Sequence, residues 1–449
     1  MRGGLRERLG IGWTVHGDGR APRPGTAVGP GERLSWGRTA GLGAQHVVAM
    51  FGATFVFPVL MGLDPNLAIM VSGVATILFL LIVRGKIPSY LGSSASFVGA
   101  VSLIRAGGGD SSAVTGAILV CAVVLAAVGL VVHFVGGHVV HRALPPAVSG
   151  AVVMLIGFNL APVVAETYWP QDQWIALITM LVVLACTVLL RGFWSRIAVF
   201  LGLVSGYLLS WSFDLAFGPI TAPDANGEVG TRLRVDLSGV GEAAWFGLPE
   251  LHGPTFDAAA ILVVLPAVIA LIAENTGHVK AVEEMTGTRL DGSLGRAIFA
   301  DGFASALSSS IGGPPTTTYA ENIGVMAATR VYSTAAYWVA AVVAIVFGLC
   351  PKFGAVIAAT PGGVLGGITV VLYGMIGLLG ARIWVENRVE FGDPVNLLPL
   401  AAGIVIGIGG VSLDIAPRFS IGGIALGTIV VVAGYHLLRF AAQRSPRRE

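Results

Sequence analysis

Glu274, His278 and Glu321 are ionisable residues set in stretches that are otherwise apolar. An isolated charge at the centre of a bilayer costs at least about 2.5–3.5 kcal/mol, so each needs a reason to be there. Glu274 and His278 lie in Ala270-Leu271-Ile272-Ala273-Glu274-Asn275-Thr276-Gly277-His278, and their spacing of four puts both on one helix face. Glu321 follows a run of Gly, Pro and Thr, in Tyr319-Ala320-Glu321-Asn322-Ile323-Gly324, and His46 follows Gln45 in the first apolar segment. A buried carboxyl beside a titratable neighbour is suited to bind and release a proton. As a carboxylate it also accepts strong hydrogen bonds from N–H donors. Together these suit a proton-coupled carrier for a small polar molecule bearing N–H groups. Simpler readings stand beside this one. Glu274 fits a residue at the membrane–water boundary, Glu321 an acid held by a helix dipole, and the histidines structural hydrogen-bonding groups. Other chemistries lack support. Glu-x-x-x-His lacks the first histidine of the His-Glu-x-x-His metal pattern, and there is no Gly-x-x-x-x-Gly-Lys phosphate loop and no Ser-His-Asp arrangement. No enzyme activity, cofactor or metal is expected.

The elements that must position these residues follow from composition. The chain has 449 residues, 55% hydrophobic and 12% charged, about half the usual charge of a soluble domain. That much apolar surface calls for lipid as the solvent, and a net charge of +2 gives no reason to expect a nucleic-acid partner. Cys121, Cys186 and Cys350 sit in apolar runs without metal-like spacing. With about 20 helical residues needed per crossing, fourteen spans fit between residues 43 and 439. With both termini inside, only Arg105, Arg232, Arg234, Lys352 and Arg418 of the 27 Lys and Arg fall outside, as the positive-inside rule favours. Residues 1–40, polar and rich in Gly, Pro and Arg, are expected to be a disordered cytoplasmic tail, as are residues 441–449, and 218–256 an extracellular loop. Fourteen spans divide into seven plus seven, the odd number per half that an inverted repeat requires. The third span of each half is interrupted. Pro88-Ser89-Tyr90-Leu91-Gly92-Ser93-Ser94-Ala95-Ser96-Phe97 matches Gly312-Gly313-Pro314-Pro315-Thr316-Thr317-Thr318-Tyr319 in position and in its weak helix formers. Paired interruptions point to a binding site at the membrane midplane, against the simpler use of small residues for close packing.

The run Glu321-Asn322-Ile323-Gly324-Val325-Met326-Ala327-Ala328-Thr329-Arg330 resembles the signature of the nucleobase–ascorbate transporter family, the uracil and xanthine permeases. Gln45-His46 with Phe51-Gly52-Ala53-Thr54 is similar to its first-span motif, and Gly85-Lys86-Ile87-Pro88 with Leu91-Gly92-Ser93-Ser94 to its third-span entrance. Glu274 and His278 match as well, so the resemblance covers about residues 40–440. It implies an all-α polytopic membrane protein, a seven-plus-seven inverted repeat with short strands in spans 3 and 10. The core domain would comprise residues 41–142 and 257–350, and the gate domain 143–217 and 351–440. It further implies proton-coupled uracil symport across the plasma membrane by alternating access, and a homodimer through the gate domain. Glu274 and Glu321 would hydrogen-bond the uracil ring N–H and neighbouring groups. Phe97 would pack on the ring, and the backbone N–H near Ala320, beside Tyr319, would meet a ring carbonyl. His278 would pair with Glu274 in proton coupling, with His46, Ser94 and Asn322 in support. An acid at 321, where xanthine and urate carriers tend to have Gln, resembles the uracil branch. Two departures stand out: Ala320, where the family often has Gly, would narrow the approach of the base, and Ala95-Ser96 ahead of Phe97 would make the pocket roomier or more polar, which leaves thymine or a purine open as substrate. An anion exchanger or channel on the same fold is a further alternative, against which the buried acids argue.

Overall fold

The computed structural model describes residues 10–22, 25–224, 227–416 and 419–444. Among them, the helices that build the body are α1 (Trp36–Leu60), α2 (Pro65–Ile82), α3 (Val98–Ala106), α4 (Ser111–Val135), α5 (Pro146–Asn159), α6 (Gln173–Leu189) and α7 (Ala198–Phe217). They continue with α8 (Ala258–Val264), α9 (Ala267–Thr286), α10 (Leu294–Ser310), α11 (Ala320–Thr329), α12 (Thr334–Gly348), α13 (Pro351–Ala358), α14 (Gly362–Glu386), α15 (Pro394–Ile408) and α16 (Gly423–Arg444). Many of the chain's few acids act as helix caps. Asp64, Asp110, Asp172, Asp257 and Asp393 each accept a backbone N–H in the first turn of α2, α4, α6, α8 and α15. Each such cap stabilises its helix by about 1 kcal/mol.

Among the described residues, eight helices, with the broken α8–α9 counted as one, are long and apolar enough to cross a membrane, and a ninth follows if α12 and α13, bent by 82°, count as one span. Helix length alone therefore does not reach fourteen. The physical reason is that several expected spans are only partly helical. The third and tenth are each a strand followed by a short helix, α3 or α11, only about 15 Å long at 1.5 Å per residue. The expected span 353–377 is also redrawn, because Pro361 separates α13 from α14.

The helices sort into two packed groups. In one, α10 packs on α4 and α2, and α12 on α2 and α1. In the other, α14 packs on α5 and α6, α7 on α6, and α15 on α16 and α5. At the α5–α14 crossing, a Cβ on Gly157 would overlap the backbone of Gly377, so glycine there permits the close approach. Against the first group lie β1 (Leu91–Ser93), on α2 and α1, and β2 (Thr316–Thr318), on α10 and α9; the two strands pair antiparallel with Leu91 opposite Thr318 and Ser93 opposite Thr316.

One segment differs from expectation. The described residues between 10 and 35, expected to be disordered, lie as an ordered strap on the first group. Val28 pairs its backbone with Arg330 and Tyr332 (2.9 and 2.8 Å), the Trp13 indole N–H donates to Thr334 Oγ1 (2.8 Å), and Val28, Leu34 and Val331 form a small apolar cluster. Backbone pairing and two buried aliphatic residues are enough to order a polar segment whose composition alone would leave it loose. Residues 1–9, 23–24 and 445–449 of the expected tails lie outside the described residues. The described residues of the 218–256 loop are tied to the helices by side-chain and backbone contacts. Arg234 bridges Asp172 and Asp214 (2.8 and 3.0 Å), while the Gly247, His252 and Thr255 N–H groups donate to the carbonyls of Leu349, Ile311 and Ser112.

Candidate functional site

Pro314 and Pro315 lack the N–H a helix would need, so the chain enters β2 extended and hydrogen-bonds sideways instead. Each threonine of β2 is then committed to a flanking helix. The Thr316 N–H donates to Ser305 Oγ on α10, and that hydroxyl donates back to the Thr316 carbonyl, both at 2.9 Å. Thr317 Oγ1 donates to Asp301 Oδ2 on α10 at 3.4 Å and lies beside the Glu274 carboxyl of α9. Thr318 Oγ1 lies 2.7 Å from His278 Nδ1 on α9. The opposite strand is anchored to α2 in the same manner. Thr76 Oγ1 accepts the Leu91 N–H (3.0 Å), and Ser72 Oγ meets the Tyr90 hydroxyl (2.8 Å).

The i, i+4 spacing on α9 does place Glu274 and His278 on one face, and both turn toward β2 rather than toward each other's hydrogen-bonding atoms. Glu274 lies within electrostatic reach of Asp301 and Glu321. Two carboxyl groups, Glu274 and Asp301, therefore lie at one threonine, with Glu321 in reach of Glu274. A single hydroxyl carries one proton, so Thr317 can donate to only one of its two carboxyl neighbours at a time. When Glu274 holds a proton it can donate to Thr317, freeing that hydroxyl to donate to Asp301; when Glu274 is ionised, Thr317 can turn to it.

Ala320 and Glu321 open α11, and both side chains are exposed although the strand before them is buried. The first-turn N–H groups of a helix have no intrahelical acceptor, so this end offers donors next to an acceptor carboxylate. Glu274 and His278 are half-buried. Behind this open face stands a closed layer. Asn322 Nδ2 lies 3.0 Å from His46 Nδ1, and the His46 ring packs 4.4 Å from the Tyr337 ring, tying α11 to α1 and α12. His46 and Asn322 are buried, so they hold the half-helix in place.

The structure places three other expected residues away from the open face. The Tyr319 hydroxyl donates to the Ser93 carbonyl (2.6 Å), and its ring lies on Gly92, where an added Cβ would come within 2.6 Å of it. Tyr319 thus fastens the two strands together. Ser94 caps the short turn before α3 through the Ser96 N–H (3.3 Å). Phe97 is fully enclosed, and Ala95 and Ser96 are the partly exposed residues of that turn.

Asp301 is the residue that sequence reasoning missed. It is fully buried and accepts the Asn275 amide at 2.6 Å. Its signal was available: it is an acid in the middle of an apolar stretch, like Glu274. Ser305, Asn275 and Thr317 join it only through the fold, since nothing in their types sets them apart from packing residues.

Comparisons with known proteins agree with this architecture. The Permease family, of xanthine and uracil permeases, matches residues 37–415. The chain is 44% identical over 408 residues to a candidate pyrimidine permease of Escherichia coli (strain K12), RutG, covering 89% of each. It is 37% identical over 417 residues to the uracil permease of Bacillus caldolyticus, covering 89% of this chain and 92% of that one. Among solved structures, the transmembrane domain of the cyanobacterium bicarbonate transporter BicA superposes with a TM-score of 0.61 at 16% identity, over 89% of this chain and 96% of that one. Murine Solute Carrier 26 family member A9, an anion transporter in the inward-facing state, gives 0.64 at 12% identity, over 91% and 69%. At such low identity these two bear on the fold alone. With the family matched over most of its length, the chain belongs to the xanthine/uracil permeases of the nucleobase–ascorbate transporter family, on its uracil side, and is a multi-pass membrane transporter rather than an enzyme.

Proposed function

We propose that this permease is a uracil:H⁺ symporter of the plasma membrane with both termini cytoplasmic, working by alternating access. The observation that carries the reading is the gathering of Glu274, Asp301 and Glu321 about the strand and half-helix start at residues 316–321, with two carboxyl groups and the first turn of α11 on the open side. Uracil presents ring N–H donors and carbonyl acceptors alternately. Glu321 and Glu274 would accept the N–H groups, and the N–H groups at the start of α11 would meet a carbonyl. His278 and Thr318 would orient the region around Glu274, and Phe97 would support the base from behind Ala95 and Ser96. The permeases named for uracil and for pyrimidines among the relatives support this substrate class.

The packing pattern supports a seven-plus-seven repeat. Counting α8–α9 as the eighth span and α14 as the twelfth, the pair of spans 2 and 11 exchanges with 9 and 4 under a shift of seven. The pair 6 and 7 likewise exchanges with 13 and 14. On this reading the first packed group is the core that carries the base and the second is the gate, through which the protein forms a homodimer. Protonation of Glu274 would remove one negative charge from the carboxyl cluster, uracil would occupy its acceptors, and together they would let the core move against the gate.

The test is uptake of radiolabelled uracil at two pH values in cells lacking their own carrier. Glu321→Gln should abolish uptake, and Glu274→Gln should keep binding while losing the pH dependence. Full pH-dependent uptake by both variants would overturn the assignment. Competition by unlabelled xanthine, urate and thymine resolves the base preference.

A further inference from the structure

Away from the crossing strands, a groove of about 430 Å³ runs between the α8–α9 break and α16. Its walls are Leu265, Pro266 and Ile269 on one side and Ala425, Ile429 and Val432 on the other. The volume falls in the range of small-molecule sites, about 300–1,000 Å³. Leu262 and Ile429 at its rim are 43% and 47% exposed, and Leu437 and Phe440 further along α16 are more than half exposed. In a membrane transporter such a surface meets hydrocarbon, so its occupant comes from the bilayer.

One end of the groove is not apolar. His436 lines it, with Nε2 2.9 Å from the Ala143 carbonyl. Arg142, the neighbour of Ala143, is exposed, and Arg439 lies one turn beyond His436, with Nη1 3.0 Å from the Tyr435 hydroxyl. The charge distribution is that of an aliphatic channel with a basic mouth. Basic pockets of this kind between membrane helices, on the side where positive charge collects, suit anionic lipid headgroups.

We propose that this groove is a lipid site holding one acyl chain of an anionic phospholipid, with its headgroup at Arg142, His436 and Arg439. The two walls belong to different parts of the molecule. α9 carries Glu274 and His278, whereas α16 packs on α15 and α5 of the other group. A seated chain therefore fills the seam between the groups and replaces contacts that a void would lose.

The site is tested by native mass spectrometry of the purified full chain, with phosphatidylglycerol and phosphatidylcholine as the added lipids. The wild type should retain one phosphatidylglycerol in preference to phosphatidylcholine. Ile429→Trp and Ala425→Trp, which fill the groove, should each lower that retention by at least about fivefold. Ile429 is half exposed, so its variant keeps the test valid if Ala425→Trp fails to fold. The double variant His436→Gln with Arg439→Gln should retain both lipids equally. Unchanged retention in Ile429→Trp, or no phosphatidylglycerol preference in the wild type, overturns the proposal. The readout is independent of transport, so its failure is distinct from failure of the uracil assignment.

Discussion

The two broken segments of the permease occupy equivalent places but carry different chemistry. Leu91–Ser93 and Thr316–Thr318 are strands of equal length, each followed by a capping residue, Ser94 or Tyr319, and a short helix. Each strand is anchored by hydroxyls from the helix pair beside it, Ser72 and Thr76 in one case and Ser305 in the other. Continuing that alignment places Ser96 opposite Glu321 and Phe97 opposite Asn322. The backbone frame is duplicated, and the ionisable groups are not: Glu274, His278, Asp301 and Glu321 all lie on the second side. The matching strand-then-helix layout supplies two short helices of similar length, and the ionisable groups gather beside the second.

The largest expected effect comes from exchanging roles across this alignment. Glu321→Gln should lower uracil uptake by about 100-fold or more, since hydrogen bonds to a charged partner contribute roughly 1.5–3 kcal/mol each. Its counterpart Ser96→Ala should stay within about threefold of the wild type. Comparable losses in the two would mean that the sides are functionally equivalent.

Thr317→Val removes the hydroxyl shared by Glu274 and Asp301 and should lower uptake about tenfold while flattening its pH profile. The facing position, Gly92→Ala, should act through packing, pushing the Tyr319 ring and lowering thermal stability by about 1–3 kcal/mol with the shape of the pH profile retained. If Thr317→Val kept the wild-type pH profile, the hydroxyl would have no part in proton coupling.

Tyr319→Phe should destabilise by about 1 kcal/mol, the loss of one hydrogen bond to Ser93, and leave the KM for uracil within about twofold. A large rise in KM would place the tyrosine hydroxyl on the substrate instead of on the strand.

The smallest effect concerns the strap. Glu32 accepts the Gly29 N–H and pairs with His16, which holds its carboxyl below the usual 4.5. A carboxyl depressed in the folded state contributes stability above its unfolded value and loses it as pH falls through the folded one. Protection of the Gly29 amide, corrected for intrinsic exchange, should therefore be full at pH 7 and decline below about pH 4. Glu32 is 38% exposed, so solvent screening keeps the change small. Constant protection down to pH 3 would show that the backbone pairing with Arg330 and Tyr332 holds the strap alone.

The sequence by itself determined the solvent, the family and the positions of greatest interest. A bilayer penalises every buried polar group, so Glu274, His278 and Glu321 stand out against their surroundings without any coordinates. Gly, Pro and Thr likewise mark residues 88–97 and 312–319 as poor helix, because their backbone preferences are local. Tertiary structure alone decided which hydroxyl meets which carboxyl. Tyr319 belongs to the strand crossing and Asp301 to the carboxyl cluster because of long-range pairing between 91–93 and 316–318 and the docking of α10 beside α9. It also ordered the N-terminal strap, whose polar composition carries no sign of the partner at residues 330–334. Local chemistry is written in residue type and spacing, whereas a contact between distant residues depends on the packing of everything between them.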